Sequence, residues 1–195
     1  MSTSAERSRG EHRLRDGTVV GLRAVPYDDP VARDLVGRVQ QEYVDRYGGP
    51  DEAAVDPAEF VPPAGVFLVA EVDGRPAGCG AWRRHTESPR PDDADVAEMK
   101  RVYVVPAFRR RGLAQVVVRA LEESARRAGY RAFVLNSGDR QPEALALYRA
   151  MGYAPVPGYG IYADGEGAVF LGRDLTGRDR TGGDATGREE PPWAS

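Results

Sequence analysis

The chain has 195 residues, of which 41% are hydrophobic and 29% charged, and its net charge is −3. That length suits one ordinary domain with a buried core and is short for two, and the composition is that of a soluble globular protein rather than a disordered one. No apolar stretch approaches the ~20 residues of a membrane helix, Met1 to Asp16 lacks a signal peptide's apolar segment, and the slight negative charge gives no reason to expect nucleic acid. A cytoplasmic protein without membrane or nucleic-acid partners is therefore expected. The single Cys79 cannot form an internal disulfide, and one cysteine with the distant His12 and His85 makes no metal site.

Met1 to Asp16 is polar and is expected to be a flexible tail; residues 176–195, dominated by Gly, Asp, Arg, Thr and Glu, are expected to be a disordered one, leaving 17–175 as the domain. Val19 to Val25 reads as a first strand. Asp29-Pro30 supplies an N-cap and a proline at the first helical position, and Leu35, Val36, Val39, Tyr43 and Tyr47 then fall on one helical face before Gly48-Gly49. Pro50 to Gly65 is a proline- and acid-rich connection with a short helix near Pro57 to Phe60. Val66 to Val72 and Pro76 to Arg83 flank Asp73-Gly74, a hairpin signal. After a loop from Thr86 to Ala94, Asp95 to Val105 reads as a long strand. The next helix carries Leu113, Val116, Val117, Ala120, Leu121, Ser124 and Ala128 on one face and ends at Gly129. Arg131 to Asn136 is a strand. Pro142 opens another helix, with Ala144, Leu147, Tyr148 and Met151 on one side, and Tyr153 to Val156 and Ala168 to Asp174 are expected to pair as closing strands. Three consecutive strands break the simple strand–helix alternation of a doubly wound domain, so the order predicts a mixed α+β architecture around a mixed sheet.

One turn carries chemistry. Arg109-Arg110-Arg111-Gly112-Leu113-Ala114 lies between the apolar run Val102 to Val105 and an amphipathic helix. The first N–H groups of a helix lack intrahelical acceptors, the helix dipole places partial positive charge there, and arginines add forked donors, so the turn is an anion cradle. Neither a Walker A loop nor a Gly-x-Gly-x-x-Gly fingerprint is present.

With its flanking strand Glu98 to Val104 and the downstream block Gln141-Pro142-Glu143-Ala144-Leu145-Ala146-Leu147-Tyr148-Arg149-Ala150-Met151-Gly152-Tyr153, this turn resembles the GNAT superfamily of acetyl-CoA-dependent N-acetyltransferases, whose pyrophosphate loop reads Arg/Gln-x-x-Gly-x-Gly/Ala. The resemblance implies a mostly antiparallel twisted sheet of about six to seven strands, splayed at the cofactor site and flanked by helices. It also implies acetyl-CoA as co-substrate without a metal, and an amine acceptor, either a small molecule or a peptide. Homodimers are common in the family, and no interface is legible in the chain.

By resemblance, the backbone of Arg110, Arg111, Gly112, Leu113, Ala114 and Gln115 holds the diphosphate, with Arg109 as the leading basic residue. Val102, Tyr103 and Val104 receive the pantetheine arm, which can hydrogen-bond like an added strand. Gln141 stands where relatives place a CoA-contacting asparagine; the helix N-cap is its alternative task. Glu98 matches the family's general base, needed because an alkylamine with a pKa near ~10 arrives protonated. Its alternative is pairing with Lys100 or Arg101, and a bulge is expected to reset the strand's alternation at this point. Tyr148 matches the general acid that protonates the leaving thiolate, or else packs beside Leu147 and Met151. Asn136 departs from relatives that carry a glutamate there, and an amide cannot act as a base. Tyr43 to Gly65 and Pro157 to Tyr162 are expected to shape the acceptor pocket, with Tyr43, Tyr47, Phe60, Tyr159 and Tyr162 as candidate walls. Direct transfer is expected, since Cys79 lies away from the thioester channel. A catalytically silent acyl-CoA-binding module is the alternative.

Overall fold

Local signals set the elements of the computed structural model, which describes residues 12–53, 55–86 and 95–176. Residues 1–11, 87–94 and 177–195, which hold most of both expected tails and of the Thr86 to Ala94 loop, lie outside the described residues. The first described strand, β1 (His12–Arg13), falls within the stretch read as a tail and pairs antiparallel with β2 (Val19–Val25). Helix α1 (Pro30–Tyr47) starts as its sequence signal requires: the Asp29 carboxylate accepts from the N–H of Val31 at 2.8 Å, and Pro30 occupies the first turn. Strands β3 (Gly65–Val72) and β4 (Arg75–Arg84) meet across Asp73-Gly74, whose φ values of 50° and 72° are those of the tight hairpin turn that twisted strands favour.

β5 (Val96–Val104) leads through the arginine turn into α2 (Leu113–Arg127), followed by β6 (Ala132–Gly138), α3 (Pro142–Ala150), the two-residue β7 (Ala154–Pro155) and β8 (Ala168–Asp174). The strands form a single sheet in the order β1-β2-β3-β4-β5-β6-β8-β7, antiparallel throughout except between β5 and β6. About six to seven strands were expected and the described residues form eight, because the short β1 adds itself to one edge; the expected closing strand Tyr153 to Val156 is present as the shorter β7.

Three hydrophobic clusters form among the described residues, the two larger under the helices and a smaller one of Val96, Ala132, Val134, Tyr159 and Phe170. On one side α1 buries Ala32, Leu35 and Val39 against Phe67, Val69, Cys79 and Ala81. On the other, α2 and α3 pack against Leu68, Trp82, Met99 and Phe133. The buried stripe of α2 comprises Leu113, Val117, Val118, Leu121, Glu122 and Ala125, so it is rotated from the expected face toward Val118 and away from Ala128. Glu122 explains the rotation: its carboxylate accepts from the Tyr153 hydroxyl at 2.8 Å and from Arg173 at 3.0 Å, a buried polar link that a purely apolar pattern cannot reveal.

The middle of β5 positions the site. Its parallel pairing with β6 runs only from Val96↔Ala132 to Glu98↔Val134 and then stops. Just beyond, Arg101 adopts φ 57° and the register against β4 shifts between Cys79 and Ala81. This is a bulge, and a bulge bends its strand and resets side-chain parity. Ala97 and Met99 lie in the α2-side cluster, as do Val102 and Val104, whereas Tyr103 belongs to the α1 side. The β5 edge facing β6 is thus left without a strand partner from Met99 onward.

Candidate active site

Between the diverging strands lies a cleft of about 820 Å³, walled by β5, β6, the end of α1, the start of α2 and the inner side of α3. Val102, Tyr103, Val104, Arg109, Arg110, Gly112, Leu113, Ala114, Gln115, Gln141 and Tyr148 all line it. Arg111 and Glu98 do not.

At the α2 end, no side chain caps the helix, and Gly112 at φ 91° stands two residues after Arg110 at φ 60°. Left-handed residues alternating with ordinary ones turn successive N–H groups toward one point, which is an anion-binding nest. The three arginines divide their work. Arg109 donates through Nε to the Val104 carbonyl at 2.9 Å and pairs with Glu42 of α1. Arg111 turns away from the cleft to Asp16 and Thr18, both at 2.8 Å. Arg110 has no side-chain partner among the described residues and lines the cleft.

The other wall carries the unpaired β5 edge and β6. Asn136 lines the cleft with its amide nitrogen buried and without a hydrogen-bond partner. An unmet buried donor costs about 1–3 kcal/mol, so a carbonyl arriving in the cleft would satisfy it. Gln141 sits at the N-cap position of α3, yet its side chain does not cap the helix; its oxygen accepts instead from the Ser137 hydroxyl at 3.2 Å.

Tyr148 is 7% exposed and packs edge-on to Tyr153 with ring centroids 5.6 Å apart. Its hydroxyl has no hydrogen-bond partner among the described residues. Burial, and to a lesser extent the neighbouring Tyr43, pushes its phenol above the ordinary value, so it stays protonated.

Glu98 is 1% exposed on the α1 side of β5. Its Oε2 accepts from Arg83 Nε at 2.9 Å, and its Oε1 lies 2.6 Å from Lys100 Nζ. Arg83 in turn holds Glu59 at 2.7 Å. The pairing with Lys100 raised by the sequence is present, and cross-strand Arg83, directly opposite Glu98, adds a second cation. Lys100, the chain's sole lysine, carries this cluster to the cleft wall.

The two segments expected to shape the acceptor pocket meet at Asp51. Its carboxylate pairs with Arg101 of the bulge and accepts from the Tyr162 hydroxyl at 2.9 Å, and that hydroxyl in turn accepts the N–H of Glu52. Burial opposes the charge on Asp51, but Arg101 outweighs it and holds the carboxyl below its ordinary value. Tyr43, Tyr47 and Tyr162 line the cleft as expected. Phe60 and Tyr159 instead serve the core: Phe60 stacks on Tyr27, and Tyr159 packs against His85 and Phe170. Cys79 is buried outside the cleft, donating to the Arg101 carbonyl at 3.3 Å, and burial pushes its thiol up to about 12.

One lining residue, Arg15, was missed because it lies in the stretch read as a tail. The signal was available: Asp16-Gly17 between apolar Leu14 and Val19-Val20 is the same hairpin pair as Asp73-Gly74.

Comparison with known proteins agrees with this geometry. The acetyltransferase (GNAT) family profile matches residues 36–153. The IAA acetyltransferase of Azospirillum brasilense is 29% identical over 153 residues, which make up 78% of this chain and 95% of that protein. Among solved structures, the GNAT domain of S. lividans PAT superposes with a TM-score of 0.65 at 23% identity, covering 84% of this chain and 95% of that one. A GNAT family acetyltransferase from Elizabethkingia anophelis with acetyl-CoA bound gives 0.55 at 16% identity, covering 80% and 97%. The profile spans more than half of the chain, and its residues form the splayed strands, the arginine turn and the tyrosine-bearing helix: the protein belongs to the GNAT acetyltransferase family and is an acyltransferase.

Proposed function

We propose that this protein transfers an acetyl group from acetyl-CoA to a primary amine by direct attack within the cleft. The observation that carries this reading is one continuous cavity joining an uncapped helix start, an unpaired strand edge and a buried, unpartnered phenol. These fit in turn a diphosphate, an arm of amides and a leaving sulfur. The nest at Arg110 to Gln115 would hold the diphosphate, the β5 edge at Val102 to Val104 the arm, and Asn136 and Gln141 offer amides to its carbonyls and N–H groups. When bound, acetyl-CoA supplies an acetyl thioester.

Tyr148 holds the proton that the departing thiolate takes up, at a hydroxyl that burial keeps protonated. Glu98 acts one step back. Held by a hydrogen bond from Arg83 and an ion pair with Lys100, and lying outside the cleft lining, it is a positioning residue that fixes Lys100 at the cleft wall. The carboxylates that do line the cleft from α1 to α3, Glu42, Asp51 and Glu143, are each paired with an arginine, and Glu166 lies exposed at the rim. The amine therefore gives up one proton to water in the open cleft and attacks the thioester carbonyl as the free base; as the C–S bond breaks, the thiolate takes the Tyr148 proton, and the second proton leaving the nitrogen, relayed through water, restores the phenol as the amide departs. Cys79, protonated and outside the cleft, takes no part, which supports direct transfer over an acyl-enzyme.

The test is thiol release from acetyl-CoA across a panel of polyamines, aminoglycosides, amino acids and peptide N-termini. Turnover with at least one class is expected. Tight acetyl-CoA binding with no turnover on any class would instead make the protein a silent acyl-CoA-binding module.

A further inference from the structure

The phosphate end of the cleft contains a cation that the family's motif does not include. Arg15 lies in the turn between β1 and β2, outside the 36–153 span of the family profile. Its backbone N–H donates to the Arg111 carbonyl at 3.2 Å, which ties the turn to the arginine loop. Its side chain lies across the start of α2: a Cβ placed on Gly112 would meet Arg15 Cγ at 3.4 Å and Nε at 3.6 Å. Arg15 and Arg110 both line the cleft there, and neither has a side-chain hydrogen bond or ion pair among the described residues.

The turn is held on both sides of Arg15. Leu14 is buried in the α2-side core. Asp16 accepts from Arg111 Nε at 2.8 Å, and Thr18 accepts from the same guanidinium. Hydrogen bonds from Thr18, and then from Arg111, lower the Asp16 carboxyl to about 2, so it stays charged at neutral pH. Arg111 therefore neutralises Asp16, the carboxylate next to Arg15 in the chain. Two cations without counter-charges among the described residues then converge on an uncapped helix start.

We propose that Arg15 is a phosphate ligand for coenzyme A, carried into the site by the β1–β2 turn and clamped there by Arg111. This rests on acetyl-CoA being the donor. The ligand chemistry is a phosphate oxyanion, which coenzyme A offers both in its diphosphate and in its 3′-phosphate.

The experiment is calorimetric binding of coenzyme A and of 3′-dephospho-coenzyme A to the full chain and to Arg15→Ala and Arg15→Lys. Arg15→Ala is expected to weaken coenzyme A binding by about 10- to 100-fold, as loss of a charge-assisted hydrogen bond does, and Arg15→Lys to restore part of the affinity. Because Arg15 is exposed, the melting temperature should not move, and this separates lost binding from lost folding. If the Arg15→Ala loss disappears with the dephospho compound, Arg15 holds the 3′-phosphate; if it persists, Arg15 holds the diphosphate. Either result supports the assignment. Unchanged affinity in Arg15→Ala, while the unaltered chain binds coenzyme A, would reduce Arg15 to a surface residue and leave the donor reading intact. Failure of the unaltered chain to bind coenzyme A would remove both.

Discussion

A phenol at a cleft wall donates a proton only while it keeps one, and burial secures that for Tyr148. Tyr148→Phe removes the proton and leaves the packing against Tyr153, so turnover should fall about 10²-fold while the acetyl-CoA dissociation constant stays close to the parent value, read by steady-state kinetics beside direct binding. Glu98 predicts a different pattern. Glu98→Gln leaves Arg83 and Lys100 short of a counter-charge in a buried cluster, a change that costs about 3 kcal/mol when one partner of such a pair is lost, so the melting temperature should drop clearly. Its pH–rate profile should keep the shape of the parent's, rising toward the pKa of the amine. Loss of the profile's acidic limb in Glu98→Gln would restore Glu98 to the role of base. The sequence held both residues but could not tell their roles apart, because cross-strand neighbours such as Arg83 are set by register and leave no local trace.

At the level of elements, α1 and the β6–α3 connection close over one side of the cleft. Arg46 donates to the Arg140 carbonyl at 2.8 Å and pairs with Glu143, Arg140 donates back to the Arg46 carbonyl at 2.9 Å, and the Arg140 guanidinium lies over the Tyr47 ring. Exposed pairs of this kind add only about 0–1 kcal/mol each to stability. Arg46→Ala should therefore leave the melting temperature almost unchanged and raise the dissociation rate of acetyl-CoA, measured by stopped-flow displacement; an unchanged rate would show that this latch does not retain the cofactor. The helices and most strands were legible because their signals are local: the Asp29-Pro30 start, the Asp73-Gly74 turn and the apolar faces. The edge strand β1 carries too few residues to show a period, whereas the other edge strand, β7, lies within the expected Tyr153 to Val156 strand. The buried Glu122 rotated the face of α2 by a contact with Tyr153 and Arg173 that only the fold brings together.

Across the whole molecule, Asp51 joins the α1–β3 connection, the bulge of β5 and the loop before β8. Its carboxyl is held below the ordinary value in the folded chain, so its stabilisation is present above the unfolded-state pKa of about 4 and is lost as pH falls through the folded-state value. Asp51→Asn should accordingly be less stable than the parent at neutral pH, with the gap narrowing in acid, as read by thermal melts over a pH series. An equal gap at every pH would mean that the loss lies in packing rather than in the Arg101 pair.

In the proposed reading, the donor site draws on an arginine turn and a tyrosine helix legible in the sequence, whereas the acceptor site depends on loops that meet only in three dimensions. Direct transfer requires both substrates in the cleft at once. Initial velocities over a matrix of acetyl-CoA and amine concentrations test this most directly. Intersecting double-reciprocal lines are expected, and parallel lines, the signature of an acyl-enzyme, would contradict transfer within a ternary complex.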